Sequence, residues 1–144
     1  MVVAPPAVPP ASPRLLRILL AEDDDAMRAM IQQVLTRAGH TVVAVEDGFE
    51  LADYLAMVGT SGGVEPPDLI LSDVRMPGRT GLEVLAQLRQ QGIGCPVLLL
   101  SAFADEPTRQ QARQLGARAL LDKPVDMDEL KAAVLEVGAL APGQ

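Results

Sequence analysis

The chain has 144 residues, enough for one domain that buries roughly two-thirds of its unfolded surface. Hydrophobic residues make up 49% of it but aromatic residues only 2%, so we expect an aliphatic core. A net charge of −7 argues against direct nucleic-acid binding, because phosphate backbones are held by clustered Lys and Arg, and the single Cys95 excludes an internal disulfide.

The first residues carry no charged side chain and are rich in proline, with five of the twelve prolines falling within 1–13. We predict a disordered leader at 1–14, a folded domain at 15–140 and a short tail at 141–144. No apolar stretch approaches the length of a membrane span, and no basic residue precedes Arg14 as a secretory signal would require. The expected setting is therefore the cytoplasm, with no membrane association.

The first predicted strand is Arg17–Ala21, a short apolar run that leads into the acidic stretch 22–25. Apolar residues then recur at helical spacing until Gly39, which predicts a helix with Asp24 or Asp25 as its N-cap. Considered alone, the acidic stretch is explained by helix capping and solvated charge.

A second strand is predicted at Thr41–Val45, and a second helix at 49–58. The glycines and prolines of 59–67 then interrupt regular structure and predict a flexible surface loop. The third strand, Asp68–Ser72, has an aliphatic centre, as expected of a strand buried on both faces. It ends directly at the carboxylate of Asp73.

The third helix is predicted to begin at Thr80-Gly-Leu-Glu83, a capping box in which both polar side chains bond to backbone N–H groups. A pair of glycines ends that helix, and the fourth strand follows at Pro96–Leu100 and leads to Ser101. Cys95, just before this strand, is expected to be a small buried apolar residue.

A fourth helix is predicted at about 105–115, and it is the least apolar of the set. The short fifth strand, Arg118–Leu121, is followed by Lys123 and Pro124, and a capping pattern that opens at Asp126 begins the last helix. Strands and helices thus alternate five times, which predicts an α/β fold with a parallel sheet wrapped by helices through right-handed crossovers.

Polar side chains follow four of these strands at the point where each one ends. Because the strands of a parallel sheet end at the same edge, these side chains are expected to lie together. They are three carboxylates, a hydroxyl and an ammonium, supplied by Glu22, Asp23, Asp73, Ser101 and Lys123.

Three neighbouring carboxylates repel one another, so something positive is required among them. Oxygen ligands with open positions suit Mg²⁺, which joins carboxylate to phosphate oxygens, and Lys123 can neutralise a further charge. Ser101 can donate a hydrogen bond to a bound phosphoryl group. This set is what phosphorylation of a carboxylate requires, with Asp73 as the nucleophile.

With these residues in order, the chain resembles the receiver domain of two-component response regulators over about 15–140. The resemblance implies a doubly wound (βα)5 flavodoxin-like fold, a three-layer sandwich around a five-stranded parallel sheet of order 2-1-3-4-5. The landmarks that carry it are Ile18-Leu-Leu-Ala-Glu-Asp23, Asp73 with Met76-Pro77 and Gly81, Ser101-Ala102, Gly116-Ala117 and Lys123-Pro124.

The resemblance also implies roles for the site residues. Asp73 would accept a phosphoryl group from a histidine of a sensor kinase or phosphotransfer protein, changing the 101–121 face. Asp23, Asp73 and the backbone carbonyl of Arg75 would bind Mg²⁺ directly, and Glu22 would act mainly through water. Ser101 would contact the phosphoryl group and Lys123 would pair with it. The bond before Pro124 is expected to be cis.

Three further expectations concern residues beside the site. Leu120 stands where such domains usually carry a switching aromatic ring, so signalling is expected to rely on a shift of residues 101–118 instead. Arg75 and Phe103, each two residues beyond a site residue, are expected to flank its mouth. His40, the only histidine, is expected to be a surface turn residue.

The leading interpretation is a phosphorylation-controlled switch, not an enzyme, that acts on a partner or forms a homodimer through the 105–121 face and the last helix. No DNA-binding output unit is expected, so the chain is a stand-alone regulator or the N-terminal piece of a longer one. One alternative is an aspartyl phosphotransferase of the haloacid-dehalogenase kind. Such enzymes carry a second acid where this chain has Arg75. The other alternative is a docking module that accepts no phosphate.

Overall fold

The computed structural model describes residues 14–58, 60 and 63–140. The predicted leader, except for Arg14, the tail and part of the 59–67 loop lie outside the described residues, and that division of the chain stays a prediction. No helix in the part described is long and apolar enough to cross a membrane.

Five strands alternate with five helices, as the sequence predicts. The strands are β1 Arg17–Ala21, β2 Thr41–Val45, β3 Leu69–Asp73, β4 Val97–Ser101 and β5 Ala119–Asp122. The helices are α1 Asp25–Arg37, α2 Gly48–Ala56, α3 Gly81–Gln90, α4 Glu106–Gln114 and α5 Met127–Gly138. All four strand pairings are parallel, and the order β2-β1-β3-β4-β5 confirms the expected doubly wound sheet.

The sheet separates two aliphatic cores. On one face, α1 and α5 pack against alternate strand residues such as Ile18, Leu71 and Leu98. On the other face, α2, α3 and α4 pack against residues of opposite parity, such as Leu19 and Ile70. The central strands are buried on both sides, which explains why they are aliphatic runs rather than alternating patterns.

Three strands, β3, β4 and β5, begin and end one residue later than the sequence predicts. As a result Asp73 and Ser101 are the last residues of β3 and β4, not the residues that follow them. This places both side chains at positions set by strand pairing, since Asp73 pairs with Leu100 and Ser101 pairs with Asp122.

The second helix is displaced from its predicted range of 49–58. It begins at Gly48 because the Asp47 side chain accepts a hydrogen bond from the N–H of Glu50 and caps it there. It ends at Ala56, and Val58 instead forms an isolated bridge with Val64. The described part of the 59–67 loop is therefore tied to the end of this helix by that bridge.

The expectation that His40 is a surface residue is wrong. The ring is only 7% exposed, and its Nδ1 accepts a hydrogen bond from the backbone N–H of Leu16 at 3.0 Å. Burial lowers the pKa of His40 from its usual value, which favours the neutral ring that this hydrogen bond requires. Cys95 is half-buried, and burial raises the pKa of its thiol to about 11.

Helix α4 is the least buried helix, as predicted, with Ala112 as its one buried residue. Its far end is tied to the end of α3 by the guanidinium of Arg89. Arg89 Nε donates to the carbonyl of Leu115 at 2.9 Å, and Nη1 donates to the carbonyl of Ile93 at 2.7 Å. A third bond runs from Nη1 to the carbonyl of Cys95 at 3.1 Å.

Candidate functional site

The acidic residues come together where β1 and β3 end side by side. Glu22 directly follows β1, and Asp73 ends β3, which is paired with β1. One carboxylate oxygen from each of Glu22, Asp23 and Asp73 lies within 4.8 Å of the others. Glu22 and Asp73 are buried, whereas Asp23 is exposed, so the cluster opens to solvent on the Asp23 side.

Lys123 reaches the same cluster from beyond the end of β5. Its Nζ lies 2.7 Å from Asp73 Oδ1 and 2.9 Å from Glu22 Oε1, and the side chain is 22% exposed. The backbone N–H of Lys123 donates to the carbonyl of Ser101, which holds the segment against β4. The Lys123–Pro124 bond is cis, as the resemblance implies.

The cluster contains a buried carboxylate oxygen without a hydrogen-bond partner. Among the described residues, Asp73 Oδ2 has none, whereas Asp73 Oδ1 and Glu22 Oε1 share the single ammonium of Lys123. Buried oxygens of this kind call for a positive partner. An all-oxygen set with one side open fits a hard divalent cation such as Mg²⁺.

The two buried acids have opposite pKa shifts. Burial, followed by the neighbouring Glu22, raises the pKa of Asp73 to about 8. Burial also acts to raise the pKa of Glu22, but its contacts with Asp73 and Lys123 and the N–H of Asp24 outweigh it, so that pKa lies below its usual value. Burial acts to lower the pKa of Lys123, and the two carboxylates more than reverse this. Of the two buried acids, Asp73 therefore favours its protonated form and Glu22 its charged form.

Beside Asp73 lies a small cleft of about 70 Å³. Its floor includes buried Ser101 and half-buried Lys123, and its mouth is flanked by exposed Arg75 and Phe103. Phe103 is 84% exposed, an unusual position for a large apolar ring. The cleft brings together Ser101, Lys123 and Asp73 as the sequence predicts, and it confirms that Arg75 and Phe103 stand at the entrance.

Ser72, which the sequence analysis did not single out, and the landmark residue Gly81 shape the turn after Asp73. The hydroxyl of Ser72 donates to the carbonyl of Asp73 at 2.9 Å, and the N–H of Gly81 donates to the carbonyl of Val74 at 2.9 Å. A Cβ at Gly81 would overlap the carbonyl of Asp73, so only glycine fits there. The sequence does carry a signal for Ser72, because this hydroxyl residue directly follows the aliphatic run of the third strand.

Asp122 is a further neighbour that was not foreseen. Its Oδ1 accepts a hydrogen bond from Arg109 Nη2 at 2.6 Å, which joins α4 to the end of β5 beside Lys123. Arg109 Nε also donates to the carbonyl of Ala104 at 3.3 Å. Leu120, at the position expected to lack a ring, is half-buried and packs against the core on the α3 side.

A family model, related sequences and similar solved structures all indicate the same family. Residues 18–135 match the response regulator receiver domain family. The alkaline phosphatase synthesis transcriptional regulatory protein SphR of Synechococcus elongatus is 37% identical over 134 residues, which is 92% of this chain and 51% of that protein. The DNA-binding transcriptional regulator NtrC of Klebsiella pneumoniae is 36% identical over 115 residues, 80% of this chain and 23% of that protein.

Solved structures of similar shape are receiver domains. The receiver domain of the Francisella response regulator 1452 superposes with a TM-score of 0.76 at 27% identity, covering 85% of this chain and 96% of that one. Chemotaxis response regulator CheY4 of Vibrio cholerae gives a TM-score of 0.74 at 27% identity, covering 86% and 99%. The chain spans about half or less of the length of the curated relatives it matches.

Proposed function

The chain belongs to the response regulator receiver domain family, and on that premise we propose that it is a phosphorylation-dependent switch with Asp73 as its phosphoacceptor. The observation that supports this most directly is the burial of Asp73 against Glu22 and Lys123 at the floor of an open cleft. The family is a signalling family, and we propose that the chain turns over no external substrate.

The proposed reaction is transfer of a phosphoryl group from a phosphohistidine. A carboxylate oxygen of Asp73 attacks phosphorus, the nitrogen–phosphorus bond breaks, and the released imidazole takes up a proton. Asp73 must be ionised to attack, so its raised pKa has to be brought down during the reaction. Ser101 donates a hydrogen bond to a phosphoryl oxygen, and Lys123 moves from the two carboxylates to pair with the phosphoryl charge.

We assign a Mg²⁺ site to the carboxylates of Glu22, Asp23 and Asp73 and the backbone carbonyl of Arg75. The support is the cluster geometry, the single ammonium that Glu22 and Asp73 share, and the unpartnered Oδ2 of Asp73. When bound, Mg²⁺ would supply the positive charge that keeps Asp73 ionised and offsets the incoming phosphoryl charge.

We propose that phosphorylation changes the conformation of the surface formed by residues 101–121. This segment runs from Ser101 through α4 into β5. Phosphodonor partners would be a sensor histidine kinase or a phosphotransfer protein, and the expected setting is the cytoplasm, as is typical of the family. The responding face, with α5, would control a partner protein or a homodimer. We propose no direct contact of this chain with nucleic acid or membrane.

Incubation with acetyl phosphate and Mg²⁺, followed by intact-mass measurement, tests the proposal. We expect one phosphoryl group per chain, lost when Mg²⁺ is chelated and lost in Asp73→Asn. The matched control is Asp53→Asn, the same change at an exposed position of α2, and it should be labelled like the parent. No labelling would favour the docking module, and continuous release of phosphate from an external phosphoester would favour the enzyme.

A further inference from the structure

Arg28, on the first turn of α1, makes contacts that the phosphoryl-transfer scheme does not use. Its Nη1 donates to the backbone carbonyl of Glu22 at 3.0 Å. Its Nη2 donates to Asp25 Oδ1 at 2.6 Å and lies 3.6 Å from Glu46 Oε1. The side chain is only 16% exposed, although it carries a full charge. These contacts hold the Arg28 guanidinium in one position.

These contacts join three elements around the acidic pair. The carbonyl belongs to Glu22 at the end of β1, Asp25 begins α1, and Glu46 follows the last residue of β2. The N–H of Glu22 meanwhile donates to the carbonyl of Val45 at 3.2 Å. The main chain of Glu22 is therefore held on both sides, by β2 through its N–H and by Arg28 through its carbonyl.

The Glu22 side chain is held as firmly as its main chain. Oε2 accepts the N–H of Asp24 at 3.1 Å, and Oε1 is paired with Lys123. Asp23, between these anchored residues, makes no hydrogen bond through its side chain in the part of the chain described, and it is exposed. The direction of its carboxylate is thus set by the backbone on either side, and Arg28 is the side chain that fixes that backbone.

We propose that Arg28 is a positioning residue for the divalent-cation site, holding the Glu22–Asp23 turn so that both carboxylates face Asp73. This inference rests on the proposed function, since it concerns the cation that the acidic cluster would bind. Side chains that orient metal ligands typically change metal affinity by tenfold or more when they are replaced.

The direction in which Mg²⁺ affinity changes when the Arg28 charge is removed distinguishes positioning from electrostatic repulsion. Arg28 is a cation near a cation site, so its charge alone opposes Mg²⁺, and removing the charge would tighten Mg²⁺ binding. Loss of positioning has the opposite effect, because a freed turn lets the acidic pair spread apart. Weaker binding after charge removal therefore identifies positioning as the dominant role.

The test is the Mg²⁺ affinity of Arg28→Gln, measured by titration of backbone amide NMR shifts without any phosphodonor. We expect about tenfold weaker binding than in the parent. Arg28→Lys, which retains the charge and one donor, should recover part of the affinity. The matched control is Arg37→Gln, the same charge loss at an exposed position of the last turn of α1, and it should stay within about twofold of the parent.

Phosphorylation gives an independent readout. Arg28→Gln should be labelled slowly by acetyl phosphate at limiting Mg²⁺ and approach the parent rate at saturating Mg²⁺, because the defect lies in cation affinity. Equal or tighter Mg²⁺ binding in a folded Arg28→Gln overturns the inference. If that variant does not fold, as judged by urea unfolding with the cation chelated, Arg28→Lys decides, and parent-like affinity in it overturns the inference. A parent chain that binds no Mg²⁺ refutes the proposed function instead.

Discussion

Asp73 and Glu22 are neighbouring buried carboxyl groups whose pKa values are shifted in opposite directions. Burial and the neighbouring Glu22 raise the pKa of Asp73 to about 8, which favours the protonated, non-nucleophilic form of this carboxyl group. Glu22 keeps its charge because the N–H of Asp24 and the ammonium of Lys123 favour it. Under the proposed function, an added positive charge is therefore needed to favour the ionised form of Asp73.

This proton predicts a pH dependence of stability. The folded chain retains on Asp73 a proton that the unfolded chain releases near pH 3.9, so the free energy of unfolding falls as pH rises from about 4 to about 8. The slope reaches at most about 1.4 kcal/mol per pH unit. His40 acts in the opposite direction around its usual pKa of 6.5 and its effect fades above that pH, so the range from 6.5 to about 8 is measured against Asp73→Asn, which carries the same histidine.

Urea unfolding with the cation chelated, across that pH range, measures the slope. Asp73→Asn cannot titrate, so its free energy of unfolding should be nearly flat where that of the parent falls. Slopes are compared rather than absolute values, because the substitution also changes the contact with Lys123. Equal slopes in the two proteins would contradict the assignment of the proton to Asp73.

The exposed pair at the mouth of the cleft predicts an effect on the lifetime of the phosphorylated state. Arg75 and Phe103 stand between the site and solvent, so shortening either one should admit water and speed dephosphorylation by a few-fold. Loss of label after removal of the phosphodonor measures the rate for Arg75→Ala and Phe103→Ala. Met30→Ala, which shortens an exposed apolar side chain on α1, is the control. Unchanged rates in both test variants would rule out this role.

At the scale of secondary-structure elements, α4 is attached differently at its two ends. Its near end is fixed by the exposed Asp105 cap and by the ion pair of half-buried Arg109 with exposed Asp122, the residue that pairs with Ser101. Its far end is fixed by the Arg89 guanidinium, which donates to the carbonyls of Leu115 and Gly116. The same guanidinium also donates to the carbonyl of Cys95, just before β4. Exposed ion pairs contribute little, so the near end is the weaker attachment.

Relaxation dispersion of backbone amides tests how the signal leaves the site. We expect phosphorylation-dependent exchange within residues 101–118, larger in the first half of α4 than at Leu115 and Gly116, which Arg89 contacts. The absence of an aromatic ring at Leu120 makes this loop-and-helix shift the available route. Exchange that is indifferent to phosphorylation throughout 101–118 would refute the hypothesis.

At the scale of the whole molecule, the sequence was sufficient to predict the architecture and the position of the acidic cluster at one edge of the sheet. Five apolar runs separated by helical spacing define a parallel sheet, and the polar residue at each strand end must then reach one edge. What could not be predicted are bonds between a side chain and a distant backbone group. Examples are the hydrogen bonds from Arg28 to the Glu22 carbonyl, from Arg89 to the Leu115 carbonyl and from the Leu16 N–H to the His40 ring. No periodic pattern in the sequence indicates such bonds. His40 was misassigned because nothing in its local sequence reveals that the segment before β1 covers it.

The same architecture predicts that the cation stabilises the entire fold. A ligand that binds only the folded chain raises the free energy of unfolding by about 2.7 kcal/mol at a hundredfold excess over its dissociation constant. Mg²⁺ at such a concentration should therefore raise the urea midpoint, with a much smaller rise in Asp23→Asn, which removes a carboxylate from the cluster. Asp53→Asn should behave like the parent. A rise of equal size in all three proteins would indicate a general salt effect.

The aliphatic character of both cores has an optical consequence. The chain has no tryptophan and one tyrosine, Tyr54, so absorption and emission in the near ultraviolet come almost entirely from that ring. Tyr54 lies on α2, half-buried against the α3 side of the sheet. Its fluorescence will therefore report on the docking of α2. Changes at the phosphoacceptor or in α4 will be nearly invisible to it unless a tryptophan is introduced there.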